Sequence, residues 1–134
     1  MGIDIKKIVF LFLIVVLSSL VYGVECGDTI TSDYVLEKDL IDCSNGLYIG
    51  NNSITLDCNG HTISGKSSGS GIRLGHDDIE IRNCIFKNFR YDIYIFDGTN
   101  IKIENNIFMD SNYAIISTYS GSSNLNIFYN KFIN

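Results

Sequence analysis

From Leu47 onward the chain repeats one unit four times: a short run of alternating apolar residues, a polar turn, a second alternating run, a corner residue and a bulky apolar residue. The first runs are Leu47-Tyr48-Ile49, Ile72-Arg73-Leu74, Ile93-Tyr94-Ile95 and Ile115-Ile116-Ser117. The second runs are Ile54-Thr55-Leu56, Ile79-Glu80-Ile81, Ile101-Lys102-Ile103 and Leu125-Asn126-Ile127. Phe86, Phe108 and Phe132 follow at one fixed distance beyond the second run in three units, with Ile63 as their counterpart in the first. The second runs open at Ile54, Ile79, Ile101 and Leu125, a nearly even step, so the unit is constant and the slack sits in turns. Those turns are rich in Gly, Asn, Asp and Ser, which supply left-handed backbone and local hydrogen bonds.

Alternation with period two places side chains in, out, in, which predicts strands. Short strands recurring at that step, without hairpin turns, suit a parallel β-helix in which each unit is one coil. A leucine-rich repeat at this period needs L-x-x-L-x-L-x-x-N and usually a helix per unit, and neither is present. Stacked in register, Leu47, Ile72, Ile93 and Ile115 form one inner column and Ile54, Ile79, Ile101 and Leu125 a second. The three phenylalanines form a third column, where rings stack with offset. Outward residues played no part in setting that register and so test it. Thr55, Glu80, Lys102 and Asn126 form one outer column, and Asp57, Arg82, Glu104 and Phe128 another. Strands lie about 4.8 Å apart. Glu80 beside Lys102, and Arg82 between Asp57 and Glu104, are then opposite-charge neighbours giving roughly 0.2–1 kcal/mol each.

Asn59, Cys84, Asn106 and Asn130 fall at the corner before the third strand. Stacked asparagines form a side-chain hydrogen-bond ladder, and Asn tolerates a left-handed bend. Counting back from Ile63 puts His61 at the first of these corners instead of Asn59, so that turn reads as two residues longer.

These residues resemble the right-handed parallel β-helix repeat family, including its NosD-type and pectin-lyase-like members. Ile54-Thr55-Leu56-Asp57-Cys58-Asn59-Gly60-His61-Thr62-Ile63-Ser64-Gly65 is similar to the first full coil of many envelope and secreted β-helix proteins, and Cys26-Gly27-Asp28-Thr29-Ile30 to their lead-in segment. The resemblance implies an all-β chain, a right-handed parallel β-helix of about four coils, preceded by an N-terminal hydrophobic signal or anchor helix. It fixes no activity, because the family spans hydrolases, lyases, epimerases, adhesins and scaffolds.

The N-terminus supports that division. Lys6 and Lys7 precede the apolar stretch 8–17, then Ser18-Ser19 and Val21-Tyr22-Gly23, the layout of a signal peptide cut after Gly23. An uncleaved anchor is the alternative, since the stretch 8–24 is just long enough to span a bilayer. The expected domains are 1–23 as signal peptide or anchor, 24–45 as N-terminal cap and first strand, and 46–134 as β-helix repeats. Tyr34-Val35-Leu36 and Leu40-Ile41 then make a partial coil over the top of the stack. Below, Asn134 follows Phe132 by two residues, which predicts self-association or docking through an uncapped end, or kinship with longer β-helix proteins.

Export gives the four cysteines a compartment where disulfides persist. Cys26 with Cys43 is the most economical pair, tying the lead-in to the first turn. Cys58 and Cys84 come from adjacent coils, either as a second bridge or with Cys84 as a small buried replacement for Asn. The whole chain carries a net charge of −5, and removing the segment 1–23 leaves 8 basic against 14 acidic side chains, or −6. That acidity disfavours nucleic acid and anionic lipid. It also opposes, less strongly, an acidic polysaccharide.

Candidate chemistry is sparse. Asp57, Asp77, Asp78 and Glu80 are the carboxylates to weigh for glycoside hydrolysis, which needs two facing one sugar roughly 5–10 Å apart. Turn capping and the Arg82 pairing account for them equally well, so no catalytic residue is assigned. His61 and His76 fall at different corners, giving no metal site; Asp77, Asp78, Asp97 and Asn100 lie in successive turns at one corner, where one weak Ca²⁺ site is the alternative to solvated turn residues, and no G-G-x-G-x-D repeat is present. No cofactor is expected. Asn51-Asn52-Ser53 is an N-glycosylation sequon in an exposed turn, with Asn51 the acceptor. The binding candidate is the outer column Tyr48, Arg73, Tyr94 and Ile116, flanked by Phe96 and Tyr91, where tyrosines either stack sugars or hold the guanidinium by cation–π contact. Aromatic residues also simply favour strand surfaces. The reading is an exported cell-surface protein with a noncatalytic structural, adhesive or carbohydrate-contact role. A carbohydrate-active enzyme or its remnant is the alternative.

Overall fold

The computed structural model describes residues 2, 4–9, 23–118 and 124–134. The expected signal or anchor helix falls largely on positions 10–22, outside the described residues. Among the described residues no helix is long and apolar enough to cross a membrane.

The described residues wind through five coils of three strands each. The first coil holds β1 (Thr29–Ile30), β2 (Tyr34–Val35) and β3 (Leu40–Cys43), and the second β4 (Leu47–Ile49), β5 (Ile54–Asp57) and β6 (Thr62–Gly65). The third holds β7 (Ser70–Gly75), β8 (Ile79–Arg82) and β9 (Ile85–Lys87), and the fourth β10 (Tyr91–Asp97), β11 (Ile101–Glu104) and β12 (Ile107–Met109). The fifth holds β13 (Tyr113–Ser117), β14 (Leu125–Phe128) and β15 (Lys131–Ile133). Stacking gives three five-stranded sheets: β1-β4-β7-β10-β13, β2-β5-β8-β11-β14 and β3-β6-β9-β12-β15. The four coils counted from the repeat thus follow a further one, where a partial coil was expected. The segment 29–43 contributes a strand to every sheet because Leu36, Leu40 and Cys43 are apolar enough to be buried against the coil beneath.

Every strand pairing among the described residues is parallel, and the register matches the alternation. Leu47 pairs with Ile72, Ile72 with Ile93 and Ile93 with Ile115. Ile54, Ile79, Ile101 and Leu125 pair in turn, as do Leu40, Ile63, Phe86, Phe108 and Phe132. The phenylalanine rings stack at 5.4 and 5.1 Å. Each inner Ile, Leu or Phe taken out of water contributes roughly 1.5–3 kcal/mol. That repeated gain holds strands too short to be stable alone. Phe89, fully buried at the corner between the third and first sheets, adds an anchor outside the three columns.

The corners turn on left-handed residues. Ser53, Asp78, Asn100 and Asn124 occupy that conformation between the first and second sheets, and Asn59, Asn83, Asn105 and Tyr129 between the second and third. The bend therefore precedes the expected ladder column by one residue in the lower coils. Asn83 and Asn105 bend, while Cys84 and Asn106 point inside and are buried. In the second coil Asn59 is an exposed bend and Cys58 takes the inner place. The ladder runs below it. Asn106 Oδ1 accepts from the Cys84 N–H at 2.9 Å, and Asn130 Oδ1 accepts from the Asn106 N–H at 2.9 Å and its side-chain amide at 3.1 Å. Asn106 and Asn130 also donate to the Ile81 and Ile103 carbonyls.

Cys58 and Cys84 are joined across adjacent coils, and Cys26 is joined to Cys43. Cys84 is therefore a bridge and not a free substitute for Asn. The first bridge holds the lead-in against the end of the first coil, and the second joins the second coil to the third. Breaking Cys26–Cys43 by the double change to Ala releases the cross-link over a sequence separation of 17 in the unfolded chain. The expected loss is about 2–3 kcal/mol, read as a lower urea midpoint. An unchanged midpoint would show that the lead-in contributes nothing to folding. Gly46 is required nearby, since a Cβ there would lie 2.0 Å from the Gly71 carbonyl oxygen.

Candidate functional site

The outer face of the first sheet carries the aromatic column in the expected register. Tyr48 and Tyr94 each pair with Arg73, and Tyr94 pairs with Ile116. Alternation forces this: Leu47, Ile72 and Ile93 point inward, so their neighbours one residue on must point outward. The Arg73 guanidinium lies 5.8 Å from the Tyr48 ring centre, 5.4 Å from Tyr94 and 5.9 Å from Phe96. The tyrosines thus hold the guanidinium instead of leaving both ring faces open. Phe96 remains exposed.

The aromatic field is wider than the column. Tyr91 stacks at 5.5 Å on both Tyr94 and Tyr113, and Arg90 sits 5.1 Å above the Tyr91 ring. Tyr113 lies one coil after Tyr91 and pairs with it, a spacing that identifies it from sequence. Arg90 carries no comparable signal, because it sits at a corner where alternation stops. Asn45, Ser70, Arg73, Arg90, Tyr91 and Tyr94 line a groove of about 300 Å³.

The second sheet carries the charged columns. Arg82 bonds Asp57 at 3.0 Å and Glu80 at 3.0 Å, and Lys102 reaches Glu104 at 2.7 Å and Glu80 at 3.6 Å. Register places Arg82 beside Glu104 as expected, yet Arg82 turns to Glu80 because Lys102 takes Glu104. Burial pushes the Asp57 carboxyl up. Hydrogen bonds from the Asn83 side chain, the Asn59 N–H and Arg82 outweigh that and hold it below the ordinary range. The Lys102 hydrogen bond likewise lowers Glu104.

The other candidates are spread apart. Asp77 Oδ1 accepts from the Thr99 N–H and hydroxyl at 2.8 and 3.0 Å, and Asp78 Oδ1 from the Asn100 amide at 3.0 Å. Asp97 accepts from the Gly98 N–H at 2.7 Å. These turn oxygens serve successive coils as local acceptors. His61 Nδ1 lies 3.0 Å from Asp39, and His76 Nδ1 3.3 Å from Asn52, on different corners. No group of three potential metal ligands occurs among the described residues. Asn51 is exposed in the turn after β4, its amide donating to the Thr31 carbonyl at 3.2 Å.

One titratable residue escaped the pattern altogether. Period two counted from Ile93 puts Asp92 outward, but Asp92 is fully buried. It lies between the Tyr91–Ser70 and Ile93–Ile72 pairs at the start of β10. Ser111 Oγ accepts from the Phe89 N–H at 3.1 Å and donates to Asp92 Oδ1 at 2.7 Å, while Asp92 Oδ2 has no hydrogen-bond partner among the described residues. Burial pushes this carboxyl up to about 7, against a smaller lowering from Ser111.

The family model described as right handed beta helix region matches residues 23–134. No curated protein and no solved structure matches the chain.

Proposed function

This chain belongs to the right-handed β-helix family, and from that premise we propose that it is an exported, noncatalytic protein that presents the outer face of its first sheet to carbohydrate. The observation that carries this reading is the continuous aromatic field Tyr48, Tyr94, Phe96, Tyr91 and Tyr113 around Arg73 on one flat face. Rings on a rigid sheet offer stacking area without the ordering cost of a loop. Export is supported by the two disulfides, which persist in oxidising compartments, and by the signal-like N-terminal sequence.

The noncatalytic part rests on the carboxylates. Asp57, Glu80 and Glu104 are matched by Arg82 and Lys102, Asp77 and Asp78 accept turn hydrogen bonds, and Asp92 is enclosed with Ser111. A working acid–base pair needs two groups converging on an open cleft.

The test is a glycan-array screen of the purified chain with Tyr48→Ala and Tyr94→Ala as variants. The expected result is binding to a restricted set of glycans, with about a tenfold loss for Tyr94→Ala from the lost ring contact. Absence of binding, or binding indifferent to both substitutions, overturns the reading.

A further inference from the structure

We propose that the corner beside Asp92 binds a primary ammonium group carried on a short alkyl stem. This site is separate from the outer face of the first sheet. It arises from a change of side-chain size between equivalent corners. Lys87 pairs with Met109 and Tyr91 with Tyr113, so by counting Ser111 takes the place that Phe89 holds one coil above. Ala114 takes the place of Asp92 in the same way. Phe89 is fully buried and fills its corner so closely that a Cβ on Gly65 would lie 2.4 Å from the ring. The smaller pair below leaves a cavity of about 110 Å³, with Asp92, Ser111, Asn112, Ala114, Phe108 and Phe132 among its walls. Liquid water takes about 30 Å³ per molecule, so the space suits a group of roughly four non-hydrogen atoms.

Asp92 sets the charge of the ligand. It is fully buried, its Oδ1 accepts from Ser111 Oγ at 2.7 Å, and its Oδ2 has no hydrogen-bond partner among the described residues. Ser111 thus fixes one oxygen and leaves the other able to accept. A buried carboxylate without a partner is costly, and a cation beside it offsets that cost. An ammonium group brings three N–H donors. Asp92 Oδ2 takes one, and Asn112 on the same wall carries an amide oxygen for a second. Phe108, Ala114 and Phe132 give an alkyl stem the apolar contact that a bare cation does not use. A metal ion suits the corner less well, since no group of three potential metal ligands occurs among the described residues.

Few other charges face this carboxyl. The strands on either side put Gly71 and Ala114 beside it, and β12 and β15 present Phe108, Met109, Phe132 and Ile133. Asp110 is the other titratable side chain in the walls, and it is exposed and 4.0 Å from Lys87. Arg90, two residues before Asp92, lies over the Tyr91 ring. Burial pushes Asp92 up to about 7, so its ionised fraction rises about tenfold between pH 6 and pH 8. Affinity for a cation should rise with it, because the bound form needs the carboxylate.

NMR titration of the full chain with n-propylammonium, n-propanol and ammonium at constant ionic strength tests the inference. Propylammonium is expected to shift the amide signals of Ser111, Asn112 and Ala114, and to bind about tenfold more tightly at pH 8 than at pH 6. Propanol and ammonium should each bind about tenfold or more weakly, one lacking the charge and the other the stem. Asp92→Asn should weaken propylammonium at pH 8 by about tenfold or more and remove its pH dependence. This variant replaces a buried acid by a neutral group of the same shape and keeps the fold. Ala114→Leu, which fills the cavity with Asp92 intact, should also abolish binding. A blocked lysine, Nα-acetyl-lysine amide, separates the two sources of such a group: binding as tight as propylammonium assigns the site to a lysine side chain, and rejection assigns it to a free amine. Propanol or ammonium binding as tightly as propylammonium overturns the inference. So does an Asp92→Asn protein that binds propylammonium like the wild type, or a titration that leaves this corner unshifted.

Discussion

Replacing Asn106 by leucine should lower stability by roughly 3–6 kcal/mol, the sum of several buried groups each left unsatisfied at about 1–3 kcal/mol. The Asn106 side chain accepts from the Cys84 N–H at 2.9 Å and donates to the Ile81 carbonyl at 3.0 Å and to Asn130 at 3.1 Å. It is buried, so no bulk water replaces those partners. Leucine fills the space with methyl groups and leaves the Cys84 N–H and Ile81 carbonyl orphaned. Urea unfolding under oxidising conditions reads the change. Asn126→Leu, on an exposed outer position, is the control and should shift stability by no more than about 0.5 kcal/mol. A loss at Asn106 no larger than at Asn126 would mean that the ladder is not a structural element.

Asp92→Asn should act in the opposite direction above neutral pH. In the unfolded chain this carboxyl ionises near 3.8, and in the folded chain burial pushes it up to about 7. Between those values the unfolded state releases a proton that the folded state keeps, so stability falls as pH rises and levels off above 7. The full window is worth on the order of 4 kcal/mol. Asparagine cannot ionise and still offers Oδ1 to Ser111. The variant should therefore match the wild type near pH 4 and exceed it by a few kcal/mol at pH 8. The difference between the two proteins isolates Asp92 from Asp39, Asp57 and Glu104. Those are held low by their partners, and their contribution is lost as pH falls. A difference that does not change with pH would show Asp92 ionised in the fold.

Much of this was legible along the chain. Period two within runs, and a nearly even step between them, placed Leu47, Ile72, Ile93 and Ile115 in one column. Charge complementarity among Asp57, Glu80, Arg82, Lys102 and Glu104 checked it, since a slip of one residue would bury all five. The Tyr48, Arg73, Tyr94 column followed from the same count. The first coil was harder to see because its strands β1 and β2 have two residues each, too few for alternation to show.

Where the pattern stopped, at corners, reading stopped as well. Which corner residue bends and which points inside depends on one backbone angle. Asn105 is left-handed and exposed, and Asn106 beside it is buried and bonded, yet they are the same residue type. Asp92 and Arg90 likewise flank Tyr91 at the start of β10, beside the corner, and there a carboxylate is buried against the alternation.

The sequence by itself determined the architecture, the strand register and the composition of each column, because parallel stacking of equivalent residues makes every position's neighbour a matter of counting. The tertiary structure decided what counting cannot reach: the completion of the first coil, the Cys58–Cys84 bridge, the buried Asp92 and the joining of Arg90 to the Arg73 face. Each depends on how the corners fold in three dimensions, where side-chain direction follows local dihedral angles and not the period of the strands.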